Sequence, residues 1–130
     1  MLRIKTEVRP SKISGMGLFA AEVVEVGTVT WVFDEGFDQR IASESLNLLP
    51  LIAREFFLRY GFFSEDGKFL FHCSDDLRFI NHSQHPNIGS TPFEDRALRN
   101  IAAGEELTCD YLAYESNWFQ KRGFDPSSFQ

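Results

Sequence analysis

The sequence predicts a mainly β domain made of small sheets with short helices. Three observations point there. Short runs that alternate apolar and polar residues, or are rich in β-branched and aromatic ones, recur at residues 3–9, 28–33, 69–71, 97–101 and 106–111. A single stretch, residues 51–60, carries helical spacing. The chain is 130 residues long, one domain's length, and its 14 Phe, 3 Tyr and 2 Trp supply the apolar area that offsets ordering entropy and excludes disorder.

Each element has a local reason. Residues 3–9 alternate as a half-buried strand does. Residues 11–17, with Gly15 and Gly17, form a loop before the apolar run Leu18-Phe19-Ala20-Ala21. Gly27 precedes the strand 28–33, which Asp34-Glu35-Gly36 ends. Ser43 is a plausible N-cap. Pro50 suits the first turn of a helix over 51–60, Gly61 stops it, and Ile52, Phe56 and Tyr60 give it one apolar face. Residues 65–68 are a turn, and 75–91 read mostly as loop. Ala103-Gly104-Glu105 turns the chain into 106–111, where Leu107, Cys109 and Tyr111 share one face and Glu106, Thr108 and Asp110 the other. The tail carries Tyr114, Trp118, Phe119, Phe124 and Phe129. Most Phe, including Phe19, Phe33 and Phe56, are expected in the core.

The net charge of −6 argues against nucleic-acid binding through a basic surface and suits a basic partner such as a Lys-rich tail. Two cysteines make no disulfide framework and fit a reducing compartment. The start has no apolar segment of a secretory signal, and the aliphatic stretch 46–53 is broken by Asn47 and Pro50, too short to span a bilayer. The expectation is a soluble, cytoplasmic protein; secretion into a host without a standard signal is the alternative.

Three segments could carry chemistry. Gly15-Met16-Gly17 is either a tight turn or a place where a ligand nears the backbone. Residues 78–87, Arg-Phe-Ile-Asn-His-Ser-Gln-His-Pro-Asn, are either a self-capped loop or a set of side chains able to read a heterocycle's edge. Tyr111, next to Asp110, is either a buried structural tyrosine or a group that orients a reactant; its ordinary pKa near 10 makes it a poor base. His72, Cys73, His82 and His85 lack paired metal-ligand spacing, so no metal is expected.

Taken together and in this order, the segments resemble the SET-domain protein lysine methyltransferases. Ser14-Gly15-Met16-Gly17-Leu18-Phe19-Ala20 is similar to the family's glycine motif. Residues 78–83 with Pro86-Asn87 are similar to its central signature, and residues 103–108 with Asp110-Tyr111 to its C-terminal one. The resemblance covers about residues 5–115. It implies small, mostly antiparallel sheets around a knot-like core, with the C-terminal motif passing under a loop beside Asn-His-Ser. It also implies a two-mouthed site, with S-adenosylmethionine entering from one face and a protein lysine from the other. Ser14, Gly15, Met16 and Gly17 would hold the cofactor's methionine part; Arg78, Phe79, Asn81 and His82 its adenosine and amino-acid parts. Tyr111 matches the catalytic tyrosine. The lysine must lose a proton before attack, and no general base is evident in the sequence; water could carry the proton away.

Two departures shape the expectation. Gln84 stands where members often have Cys, and the tail has no Cys, so no zinc-binding flap is expected. The SET domain is placed at residues 1–112. The aromatic segment 113–130 is expected to close the site as part of the same domain, with Trp118 over the cofactor and Tyr114 and Phe119 along the lysine channel. Cys109 replaces the family's usual Tyr or Phe, which implies a roomier channel reaching di- or trimethyl-lysine. A bare domain is most like the short viral and bacterial members, some of which dimerise. The alternative function is a non-catalytic module of this fold that binds a basic peptide or partner.

Overall fold

A computed structural model describes residues 1–125 and 127 of the chain. Phe129 lies outside the described residues. Strand β1 (Thr6–Pro10) pairs antiparallel with β2 (Met16–Ala20), from Thr6 opposite Ala20 to Pro10 opposite Met16. β3 (Val29–Val32) follows. Then comes an insert: β4 (Gln39–Ala42), α1 (Ser43–Asn47), α2 (Leu51–Tyr60), β5 (Gly61–Phe63) and β6 (Phe69–His72). Its strands make a three-stranded antiparallel sheet in the order β4-β6-β5. A 3-10 turn at Asp76–Phe79 leads to β7 (Asn81–His82), β8 (Ile88–Ser90), β9 (Glu94–Ala97) and β10 (Glu106–Cys109). The chain ends in a 3-10 turn at Tyr111–Ala113 and helix α3 (Trp118–Arg122).

The larger sheet runs β1-β2-β10-β8-β9-β3, with β7 also on β10. β10 is antiparallel to β2, where Leu107 faces Leu18, and parallel to β7 and β8. The sheet is parallel only where β10 meets β7 and β8, and its other pairings are antiparallel, in keeping with the expected mostly antiparallel sheets. Parallel pairing needs a long crossover, and residues 83–105 supply it. The core lies beneath these strands: Leu18, Val24, Trp31, Ile88, Ile101, Leu107 and Cys109 are buried. No helix among the described residues is long and apolar enough to cross a membrane.

Several boundaries differ from the expectation. The first strand starts at Thr6; Leu2 makes only an isolated bridge to Trp31. The strand expected at 97–101 ends at Ala97, because Ile101 pairs alone with Val24. Residues 75–91 hold a 3-10 turn and two strands, whose short length hides their periodicity. Ser43 opens α1 rather than capping it, and its hydroxyl bonds the Gly67 carbonyl. Helix α2 runs over Leu51–Tyr60 as expected, but it rides on the small sheet through Phe57, whose ring meets His72 at 5.3 Å. Phe56 meets the same His72 ring at 5.3 Å yet stays partly exposed at the edge of the contact, and Ile52 is 79% exposed.

The phenylalanines also divide differently. Phe33, Phe71 and Phe93 pack edge to face at 5.3–5.7 Å and join the two sheets. Phe56 is exposed. Phe19 is only half-buried, because it points from β2 toward Arg9, whose guanidinium covers the ring at 4.3 Å.

Candidate active site

Three sequence-distant segments meet at β10. The buried Asn81 side chain on β7 donates from Nδ2 toward the Ser14 carbonyl (3.0 Å), the Met16 carbonyl (3.2 Å) and Glu106 Oε1 (2.9 Å). Glu106 in turn accepts from the Ser11 hydroxyl at 2.7 and 2.9 Å. Asn81 thus ties the glycine loop to β10. Asn87 does a similar job one strand over: its Oδ1 accepts from the Thr108 amide and its Nδ2 donates to the Glu106 carbonyl. Glu106 was not among the expected site residues; it read as one member of a polar stripe.

The two loop glycines are needed for different reasons. Gly15 sits at φ +48 with open space where a Cβ would stand, so its demand is conformational. A Cβ on Gly17 would lie 2.1 Å from Glu106 Oε1 and 3.0 Å from the Ser11 Cβ. Glu106 cannot swing away without losing Ser11 and Asn81. Gly17→Ala is therefore expected to cost about 2 kcal/mol or more, as overpacking does, and Gly15→Ala the smaller amount of about 1–2 kcal/mol. Urea denaturation of the two variants checks the order; equal losses would contradict it.

Tyr111 follows β10 at the start of the 3-10 turn, capped by the Asp110 carboxylate on the Leu112 amide. Its hydroxyl donates to the Ile80 carbonyl at 2.5 Å. Its amide donates to His82 Nδ1 at 3.1 Å, which fixes that nitrogen as unprotonated. Burial holds the His82 pKa below the ordinary histidine range, with Asp110 opposing. Burial also pushes the Tyr111 phenol well up, and Cys109 adds to it. Tyr111 is a neutral hydrogen-bonding group, not a base.

The C-terminal segment folds over this point. The Trp118 ring lies 4.6 Å from Tyr111, and Phe119 packs at 4.9 Å on His82. A clamp holds them there. Arg122 makes a bidentate pair with Glu115, 3.0 Å on each side, and donates to the carbonyls of Leu58, Gly61 and Trp118. Glu115 also accepts from the Phe63 amide at 3.0 Å. Both members of the pair are almost fully buried. Neither residue stood out in the sequence, since the contacts reach back to α2 and β5.

A cavity of about 50 Å³ lies where these parts converge, lined by Cys109, Tyr111, Tyr114, Trp118, Arg78 and Asp95 among others. Arg78 stands over the Phe79 ring at 4.9 Å, and Phe79 meets Tyr60 at 5.8 Å. The Tyr114 hydroxyl lies beside the Cys109 thiol, so a phenol three residues after Tyr111 occupies the wall that Cys109 leaves short. Phe119 stands outside the lining, behind His82. Ser14 is half-buried, and Gly15 and Met16 are exposed on the far side of Asn81. An open groove of about 770 Å³ shares Phe62 and Tyr114 with the cavity and carries Glu65, Asp66, Phe63 and Phe93. Among the described residues no group of three or more His, Cys, Asp or Glu could hold a metal ion.

Comparison with known proteins places this arrangement. A family model described as the SET domain matches residues 15–112. The Chaetomium thermophilum Polycomb repressive complex 2, in an autoinhibited conformation bound to S-adenosylmethionine, is similar at 22% identity and TM-score 0.64 over 91% of this chain and 16% of that one. The Neurospora SET domain protein DIM-5, a histone lysine methyltransferase, is similar at 23% identity and TM-score 0.60, covering 85% of this chain and 53% of that one. A candidate histone methyltransferase of Plasmodium falciparum matches at 17% identity and TM-score 0.61, covering 85% and 95%. The chain spans about one seventh of the Polycomb chains it matches. No curated protein matches it in sequence. The matched model takes in the glycine loop, Asn81 and Tyr111, and the chain belongs to the SET-domain family.

Proposed function

We propose that the protein transfers methyl groups from S-adenosylmethionine to a lysine side chain of a basic protein. The observation that carries this reading is Tyr111, neutral and buried, on the wall of a small cavity that also holds Cys109, Tyr114 and Trp118. The residues fit the cofactor: the glycine loop is exposed at Gly15 and Met16, where its backbone is open to a ligand, and Asn81 fixes that loop. Ser14, Gly15, Met16 and Gly17 would hold the methionine part, with Arg78, Phe79, His82 and Trp118 around the adenosine. When bound, S-adenosylmethionine supplies an electrophilic methyl on a sulfonium.

The chain's own residues do the rest. Tyr111, Tyr114 and Phe62 make an aromatic wall of the cavity, where desolvation disfavours a charged ammonium. His82 and Ile80 hold Tyr111 in place on that wall, and alignment supplies much of the acceleration. The groove beside it pairs the acids Glu65 and Asp66 with aromatic rings, which suits an extended Lys-rich segment. Cys109 and Tyr114 together set the room for added methyls.

The test uses radiolabelled S-adenosylmethionine with core histones and with whole-lysate protein, comparing the protein with Tyr111→Phe. We expect transfer to fall about 100-fold in the variant while cofactor affinity by calorimetry stays within about threefold, and mass spectrometry to find di- or trimethyl-lysine. Unchanged transfer in Tyr111→Phe would overturn the assignment. Cofactor binding without transfer by the unsubstituted protein would instead identify a binding module.

A further inference from the structure

The cavity has a polar floor that the family resemblance does not account for. Trp31, Asp95 and Ser90 stand directly opposite one another across β3, β9 and β8, so their side chains share one face of the sheet. All three line the cavity with Tyr111 and Tyr114. Trp31 Nε1 is buried without a hydrogen-bond partner, an unusual state for such a group, and the buried Ser90 hydroxyl sits beside the Asp95 carboxylate and the Cys109 thiol. Asp95 is buried too, 4% exposed. An orphaned indole N–H, a hydroxyl and a carboxylate around one small space are the partners a buried water needs, and about 50 Å³ is room enough for it.

We propose that Asp95 accepts the proton that a target lysine's ammonium must lose, across a water held by Trp31 Nε1 and Ser90 Oγ. The proposal rests on the lysine methyltransferase reading. The N–H bond of the ammonium breaks, its proton passes to the water, and the water gives one of its own to a carboxylate oxygen of Asp95. The products are a neutral amine, unchanged water and a carboxylic acid, so charge and atoms balance. The neutral amine is then free to attack, and the acid loses its proton to solvent when the product leaves.

The surroundings suit the task. Burial, aided by the charge of Glu94, pushes the Asp95 carboxyl up to about 7, while the nearby Ser90 hydroxyl and the amino terminus oppose it. A base near neutrality is well matched to proton transfer at neutral pH. Cys73, Cys109 and Tyr114 also feel the Asp95 charge, but burial pushes each of them up and keeps each protonated. Arg59 and Arg78 line the same cavity as permanent cations.

The experiment compares the protein with Asp95→Asn in single-turnover methylation of core histones between about pH 6 and 9. The unsubstituted rate is expected to rise and level off above about pH 7. The variant is expected to be about 100-fold slower at neutral pH, still rising with pH, with cofactor affinity unchanged. A cofactor-free readout is the carboxyl carbon resonance of Asp95, which should titrate near pH 7. A variant with the unsubstituted rate and pH profile, or a resonance that titrates below about pH 5, overturns the role of Asp95 alone. Absence of lysine methylation by the unsubstituted protein overturns the underlying function and this role with it.

Discussion

Replacing Arg122 with alanine is expected to cost about 3–5 kcal/mol and to free α3 from the site. The side chain is almost fully buried and serves the Leu58, Gly61 and Trp118 carbonyls besides both oxygens of Glu115. A buried pair of this kind adds little net stability over apolar residues of the same shape, because both ions lose their hydration. Removing one partner is different, since it strands the other. Glu115 would keep only the Phe63 amide and Lys121, whose Nζ is 3.6 Å away and itself exposed. Total stabilities of single domains run from about 5 to 15 kcal/mol, so the loss would be a large share. It also falls on the site, because Arg122 lies over the Trp118 ring at 4.4 Å. Urea denaturation followed by tryptophan fluorescence measures the cost. The double variant Glu115→Gln/Arg122→Met should lose less than Arg122→Ala alone; a loss under about 1 kcal/mol for Arg122→Ala would show that the clamp does not hold the helix.

The second large effect is a fall in stability as pH rises, removed by Asp95→Asn. The folded carboxyl titrates at about 7, against an ordinary value of 3.8. Between those values the folded chain binds a proton that the unfolded chain has released, so unfolding loses a proton and stability drops with rising pH. The contribution is fully present below about pH 4 and gone above about pH 7. Its size is on the order of 4 kcal/mol, at about 1.4 kcal/mol for each pH unit. His72 and His82, both held below the ordinary histidine range by burial, act the other way and weaken the fold as pH falls. They are common to both proteins, so the difference between the original chain and Asp95→Asn isolates the carboxyl. Thermal unfolding at pH 5 and pH 8 reads it; equal differences at the two values would sink the prediction.

What could be read in the sequence is what is local. The turn at 103–105, the alternation of 106–109 and the helix at 51–60 depend on neighbours within a few residues, and the three motifs name Gly15, Asn81 and Tyr111 directly. What could not be read depends on register. Asp95 did not stand out because its strand was expected to begin at Ala97. Placed at Glu94–Ala97, the alternation of buried Asp95 and Ala97 becomes visible, and with it the anomaly of an acid facing inward. Arg122 and Glu115 are seven residues apart on an unremarkable tail, and only the packing of that tail on Gly61 and Phe63 gives them a joint task. The exposure of Ile52 and Phe56 has the same origin: periodicity finds an apolar face but not whether the fold covers it.

The position of β10 also governs how the molecule must assemble. This strand comes last in sequence yet sits inside the larger sheet, between β2 and the pair β7 and β8. Until it inserts, both flanking edges are open, Leu18 lacks its partner Leu107, and Asn81 has no Glu106 to hold. Its pairings with β2 close a loop of nearly ninety residues. Such distant contacts make folding slow and leave strand edges exposed meanwhile. The tie between the glycine loop, Asn81 and Glu106 is thus made late on the folding path, in the same step that completes the sheet.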